Sequence, residues 1–478
     1  MMMRFSPKIY FYFIVSAAVV MTFIATGPVL CENHASKAVP PIRLTLEDAV
    51  SLALKSNRNI IAVSNTVQSM QYSLIAARSE FDFKYGPTAN AGAVDGDEVL
   101  GAGLLVEKRF FAGPRFQLNP LVSRSAESTY GLVDLALEIP LLRGWGEMVN
   151  KDAIDQSAYS MRTSARNLHQ ARVDTVLQTI VAVYEIIEKK ELIRLLEEQV
   201  QVMEMHAETA RLKKRVELAS AMDVYRAMIR LKDVQDGLSA ARTSLSESGN
   251  RLKRILALPL DQPIDVTAEL VCQPIGLSLD AGIDQALNSR WELSQARDAL
   301  FEAERRADVA EHNLKPDLKL LLDYERTADD DLGFSSDEPE DRWQINLVSS
   351  TDWTRTREKA SYRQRLLDLE NARLRLQALQ DQVISEVRNQ FAVLESWAAR
   401  IRIKEEQIRQ ARGKQVLSRI KFNYSMADNF DLIEAESELF QSKAGLINVT
   451  TAYIVNQYQF QAAMGMLIDQ TGKLEFAL

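Results

Sequence analysis

Four histidines, His34, His169, His206 and His312, are the side chains best suited to acid–base or metal chemistry near neutral pH, and they lie scattered along 478 residues. None sits in a metal-ligand or catalytic-triad pattern, and no glycine-rich loop of phosphate-cradling form accompanies them. The acids Asp329, Asp330, Asp331, Glu338, Glu340 and Asp341 lack calcium-loop spacing and read as solvated surface. No catalytic residue, metal site or cofactor is therefore assigned, and an enzyme is not expected. Charge and capping at helix starts remain. Ser220, followed three residues later by Asp223, has the form of an N-cap with its capping-box acid. Asp428, Asp431 and Glu434 cluster where the last helical pattern opens. Acids so placed cap a backbone, attract cations where water is confined, or do both.

The elements that carry these residues are long. Upstream of the turn Arg215–Val224, apolar residues fall at Val173, Leu177, Ile180, Tyr184 and Ile187, then at Ile193, Leu196, Val200 and Met203, which is a helix with one buried seam. Downstream, Val224, Leu231, Leu238, Leu245 and Leu252 form a heptad, which favours coiled-coil packing. The pattern returns 208 residues later, with Asp431 for Asp223, Asp428 at the cap, and Leu432, Leu439, Leu446, Tyr453 and Phe460 as the heptad. Earlier, Leu44–Leu54 resembles Leu277–Leu287 at an offset of 233, so the chain holds two halves of one design whose offsets differ by roughly 25 residues. Residues 150–215 and 357–421 would each extend roughly 100 Å as helices, a length no compact domain needs.

Arg4 and Lys8 precede an apolar run from Ile9 to about Ala25, the order of a secretory signal, so residues 1–31 are expected to be a signal peptide. Cleavage after Cys31 is favoured over its lipidation, for which Leu30 is a poor neighbour. No later run of about 20 apolar residues could span a membrane as a helix. A net charge of −8 implies no nucleic-acid partner, and Cys31 and Cys272 cannot supply a disulfide framework. Thr45 and Asp48 form a capping box, with a break at Asn57. Strands are expected at Leu104–Phe110 and Val133–Ile139, with a turn at Ala112–Pro114, and again at Leu318–Tyr324 and Trp343–Val348. That gives about four strands. The smallest single-chain membrane barrel has eight, so one chain cannot close a barrel alone.

With its residues laid out this way, the chain resembles the outer-membrane efflux protein family of which TolC is the best-known member. The likeness rests on Leu-Thr-Leu-Glu-Asp-Ala at Leu44, its echo at Leu277, Pro140-Leu141-Leu142-Arg143-Gly144 after the first strands, and the two hairpin turns. It implies a mainly α fold with a membrane β-barrel portion: long hairpins forming a periplasmic tunnel, and four strands from each of three chains forming a twelve-stranded barrel. The implied segments are a signal peptide (1–31), short helices (44–82), a strand pair (83–142) and a long hairpin (143–258), then short helices (277–315), a strand pair (316–353), a second hairpin (354–467) and a tail (468–478). The implied function is an outer-membrane channel exporting small molecules or proteins, with a periplasmic adaptor, an inner-membrane transporter and outer-membrane lipid as partners.

At the first tip Arg215, Leu218 and Ser220 match the family's adaptor-contact pattern, whereas Asn423, Met426 and Asp428 stand at the second. Glu217 and Ser425 occupy positions where the family commonly has glycine. Three-fold assembly would make Asp431 and Glu434 entrance acids. Two alternatives stay open: a periplasmic adaptor, which should carry one hairpin and not two, and a secreted coiled-coil protein.

Overall fold

The computed structural model describes residues 40–94, 97–124, 129–217, 219–272, 276–329, 340–424, 426–427 and 429–468. The expected signal peptide, the centre of the acidic stretch and the tail beyond Ile468 fall outside these residues. The elements belong to the unit beginning at Ile42.

Each half opens on two short helices. Helix α1 (Leu46–Ser56) starts at Thr45, whose hydroxyl accepts from the Asp48 amide while the Asp48 carboxylate accepts from the Thr45 amide. Asn57 ends α1 and caps α2 (Arg58–Ser79), accepting from the Asn59 and Ile60 amides. Both junctions are where the side-chain chemistry places them. In the second half Ser278 caps α6 (Leu279–Ser289), followed by α7 (Trp291–His312). A parallel strand pair, β1 (Ile42–Leu44) with β6 (Ile264–Val266), ties the start of one half to the start of the other.

The long helices follow. After the short α3 (Glu147–Asn150), α4 (Asp152–Arg215) runs 64 residues and α5 (Ala221–Ile255) returns over 35. In the second half α8 (Thr356–Asn423) has 68 residues and α9 (Asn429–Ala463) has 35. A helix of 64 residues reaches about 100 Å. Its returning partner covers half of it, and α2 packs along α4 beside α5 as α7 packs along α8 beside α9. The main core lies where these layers meet: Val176 and Ile180 of α4, Val387 and Leu394 of α8, Tyr453 and Phe460 of α9, with Leu293 of α7 and Val50 of α1. Away from that core, Arg305 ties α7 to the start of α4, its guanidinium 2.7 Å from Asp152 and 2.8 Å from the buried Glu302. Burial works against the Glu302 carboxylate, but hydrogen bonds from Arg305 and Arg306 outweigh it and hold its pKa down.

The strand count departs from the expectation of four. Among the described residues the main sheet has six strands, ordered β2 (Lys84–Val94), β3 (Asp97–Arg109), β4 (Arg115–Arg124), β5 (Thr129–Pro140), β7 (Leu318–Asp329) and β8 (Glu340–Ser349), all antiparallel. The expected strands correspond to β3, β5, β7 and β8. The first-half strand pair is in fact four strands, because β2 and β4 are poorly marked. β2 contains three alanines, two glycines and Pro87 among its 11 residues, and Pro120 in β4 argues against a central strand. The ladder accommodates that proline: Gly103 pairs with Leu121 and Val106 with Leu118, while no pairing joins Leu104 and Leu105 to Asn119 and Pro120. A Cβ on Gly103 would come within 2.5 Å of the Pro120 carbonyl, so only glycine permits the approach.

The two added strands explain the mismatch of repeats. Helices α2 and α7 end at Ser79 and His312, still 233 residues apart, whereas β5 and β8 end at Pro140 and Ser349, 209 apart. The offset changes inside the strand region.

Candidate functional site

Two features are candidates for function: the hairpin tips and the faces of the sheet. At the first tip α4 stops at Arg215, in an exposed turn rich in cations, Lys213, Lys214 and Arg215, beside the helix's carbonyl end. Glu217 then takes φ 60°, the left-handed conformation that glycine adopts freely, with its amide donating to the Lys214 carbonyl at 3.0 Å. Ser220 starts α5 through a complete capping box: the Asp223 amide donates to Ser220 Oγ at 3.2 Å, and Asp223 Oδ2 accepts from the Ser220 hydroxyl and amide at 2.6 and 2.9 Å. These hydrogen bonds hold the Asp223 pKa below the usual carboxylate value. Leu218 lies outside the described residues.

At the second tip α8 ends at Asn423, and the Met426 amide closes the turn on the Lys421 carbonyl at 2.8 Å. Met426 and Tyr424 are exposed. Asp428 and Ser425 lie outside the described residues. The tips touch each other within one chain: Lys213 Nζ sits 3.4 Å from the Phe422 ring centroid, Arg226 stands over Phe430, and Ile433 packs with Met203, Ala207 and Ala227. Arg230 donates to Ser437 at 2.9 Å. Sequence reasoning did not single out Lys213, Arg226 or Arg230. Their exposed helical positions gave no signal, because their partners belong to the other hairpin.

Asp431 and Glu434 are both exposed on α9. Lys414 of α8 lies 3.9 Å from Glu434 and 2.7 Å from Glu438, and its pKa is raised by the hydrogen bond to Glu438, with Glu434 and Asp431 adding to it. One cation thus offsets part of the acidic cluster. Two residues beyond Glu434, Glu436 is buried and accepts from Arg419 at 2.8 Å and Gln415 at 2.9 Å. Burial lowers the pKa of nearby His206, against the pull of Glu436.

The sheet registers sort its residues into two faces. Cross-strand partners share a face in an antiparallel sheet. Tyr85 pairs with Val106, Val106 with Leu118, Leu118 with Leu135, Leu135 with Tyr324 and Tyr324 with Trp343, an apolar row across all six strands. A second row joins Phe116, Leu137, Leu322 and Ile345, with Lys108 of β3 beside Phe116 at the end of the ladder. The opposite face carries Lys84, Glu107, Gln117, Ala136, Asp323 and Gln344 in one row. Asn119, Asp134, Glu325 and Arg342 form another. Every residue of β8 is exposed, Trp343, Ile345 and Leu347 among them. A sheet mainly apolar on one side, mainly polar on the other and uncovered on both is suited to stand between lipid and water.

Residues 282–466 match the family model of the outer membrane efflux protein. The fold is shared with solved outer-membrane channels. Its similar structures include the CmeC outer membrane channel of Campylobacter jejuni (TM-score 0.70, 13% identity, 91% of this chain and 87% of that one). The outer-membrane channel OprN gives a TM-score of 0.68 at 14% identity, covering 88% of this chain and 89% of that one. The outer membrane protein VceC from Vibrio cholerae gives 0.67 at 15%, covering 88% and 96%. At these identities the likeness is one of fold. No curated protein sequence matches the chain. Among the described residues no helix is long and apolar enough to cross a membrane.

Proposed function

We propose that this chain is an outer-membrane channel-tunnel that works as a trimer, exporting small molecules or proteins along helices that cross the periplasm. The observation that carries the reading is the sheet: it has one apolar and one polar face, fewer strands than the smallest single-chain barrel, and helices of 64 and 68 residues leaving its end. A sheet of that kind is usable in a bilayer only when copies close it, and closure puts the polar face around water. The helices then supply the periplasmic conduit.

The tips are the surfaces for a periplasmic adaptor, which links the channel to an inner-membrane transporter. Arg215, Leu218 and Ser220 at the first tip, with Asn423, Met426 and Asp428 at the second, are the proposed contacts. The exposed Val216, Met222, Tyr225 and Tyr424 beside them offer apolar surface to a partner helix. Asp431 and Glu434 are the proposed acids of the periplasmic entrance. The capping box of Ser220 and Asp223 accounts for those two residues structurally, so the adaptor role of the first tip rests on Arg215 and Leu218.

The test is native mass measurement on protein extracted from outer membranes in mild detergent, with single-channel recording of the same sample. A trimer that conducts is expected. A stable monomer, or a trimer found free of the outer membrane, would overturn the proposal.

A further inference from the structure

The sheet's two outer strands show how copies meet. β2 and β8 are its unpaired edges, 11 and 10 residues long, and both carry the face pattern to the end of the sheet: Tyr85 and Pro87 on β2 and Trp343, Ile345 and Leu347 on β8 lie on the apolar side. Open edges of that length cannot be left in hydrocarbon, where no water satisfies unpaired backbone groups. Because the sheet is antiparallel and has an even number of strands, β8 of one copy runs opposite to β2 of the next. The added pair also lies within the wall. β3 is paired with β2 from Asp97 to Glu107 and with β4 on both sides of the gap at Leu104 and Leu105, and the offset between repeats changes inside the strand region and nowhere in the helices before it.

We infer that the added first-half strands are built into the barrel wall, so that β8 of one copy pairs with β2 of another and three copies close a barrel of eighteen strands instead of twelve. The partner at each edge is a second copy of this chain. The inference rests on the three-copy channel reading and adds to it a different interface and a wider pore. Barrel diameter grows roughly linearly with strand number, so the lumen would be about 1.5-fold wider than a twelve-stranded one, in the range of barrels that hold an aqueous channel.

Cysteine pairs across the predicted seam test this in a Cys272→Ser background. Asn346→Cys on β8 is combined with Lys84→Cys, Gly86→Cys or Thr88→Cys on β2, all on the polar face, and separately with Arg115→Cys, Gln117→Cys or Asn119→Cys on β4. Single-cysteine chains serve as controls. Oxidation in membranes should give bands at two and three times the chain mass for at least one β2 pair and for no β4 pair, since a disulfide requires Cα atoms within about 7 Å. Cross-links to β4 would mean that the added strands stand outside the wall, and no cross-link to β2 would equally overturn the inference. Cryo-electron microscopy of the unmodified trimer gives an independent count: eighteen strands are expected. Twelve strands in a conducting trimer would remove this inference and leave the channel reading standing, whereas a monomer would remove both.

Discussion

The face assignment of the sheet is most sharply tested by two neighbouring residues, Leu322 and Asp323 on β7. Leu322 stands between Leu137 and Ile345 on the apolar face, with Leu320 two residues before it and Tyr324 two residues after. Beyond Tyr324 the same face turns polar at Arg326, which pairs with Asp341. The apolar band on β7 therefore centres on Leu322, where lipid is deepest, and an aromatic pair, Tyr324 and Trp343, marks one margin. An arginine on the lipid face near the bilayer midplane costs about 2–4 kcal/mol. Leu322→Arg should thus lower the folded-to-unfolded ratio by roughly 30-fold to 1000-fold per copy, and each chain of a trimer contributes its own cost.

Asp323 pairs with Ala136 and Gln344 on the other face, where Glu325 and Asp134 lie nearby in adjoining rows. Asp323→Arg puts a cation among those acids in water, so its expected cost is within about 0.5 kcal/mol of zero. The assay is urea unfolding of each variant in lipid vesicles, followed by tryptophan fluorescence and by the fraction running as folded oligomer in unheated gels. Equal costs at the two positions, or a larger cost at Asp323, would refute the faces derived from the register.

Glu217→Gly should stabilise the first tip by about 0.5–1 kcal/mol, because a left-handed conformation costs a side-chain-bearing residue roughly 1–2 kcal/mol and glycine's added chain entropy returns part of the gain. Amide hydrogen exchange in the first turn of α5 should slow. Faster exchange would show that the Glu217 side chain holds the turn. His206 has a folded pKa below its unfolded value of about 6.5 because burial disfavours its charge, so its contribution to stability is present above that pH and is lost as pH falls toward the folded pKa. His206→Leu should flatten that part of the acid limb in a pH series of melting temperatures, leaving the share from His169 and His312, whose pKa values are also lowered. Asp431→Asn with Glu434→Gln should reduce cation preference in single-channel reversal potentials under a salt gradient, with the melting temperature unchanged. An unaltered preference in a conducting channel would remove both from the entrance.

Local chemistry was legible in the sequence wherever a feature is set by residues close along the chain. The capping boxes at Thr45 and Ser220, the break at Asn57, the turn at Gly113 and the ends of the long helices all follow from hydrogen bonds and periodicity spanning a few positions. So did the alternation of β5, whose Leu135, Leu137 and Ile139 could face only one way. The 25-residue mismatch between repeats was also visible, but not what it contained.

Pairing across distance was settled only by the tertiary structure. β2 carries small residues with little preference of their own and is a strand because β3 offers it a ladder, while β4 tolerates Pro120 because Gly103 lets the neighbouring backbone come close. Contacts between the hairpins, Lys213 with Phe422 and Arg230 with Ser437, join residues about 200 positions apart, which no local pattern encodes. Lys414 meets Glu434 and Glu438 of α9 across the second turn, a shorter separation along the chain but still beyond the few positions that a local pattern spans. Periodicity tells which side of an element is apolar. Which partner covers that side depends on the free energy of the assembled layers, which is a property of the whole chain.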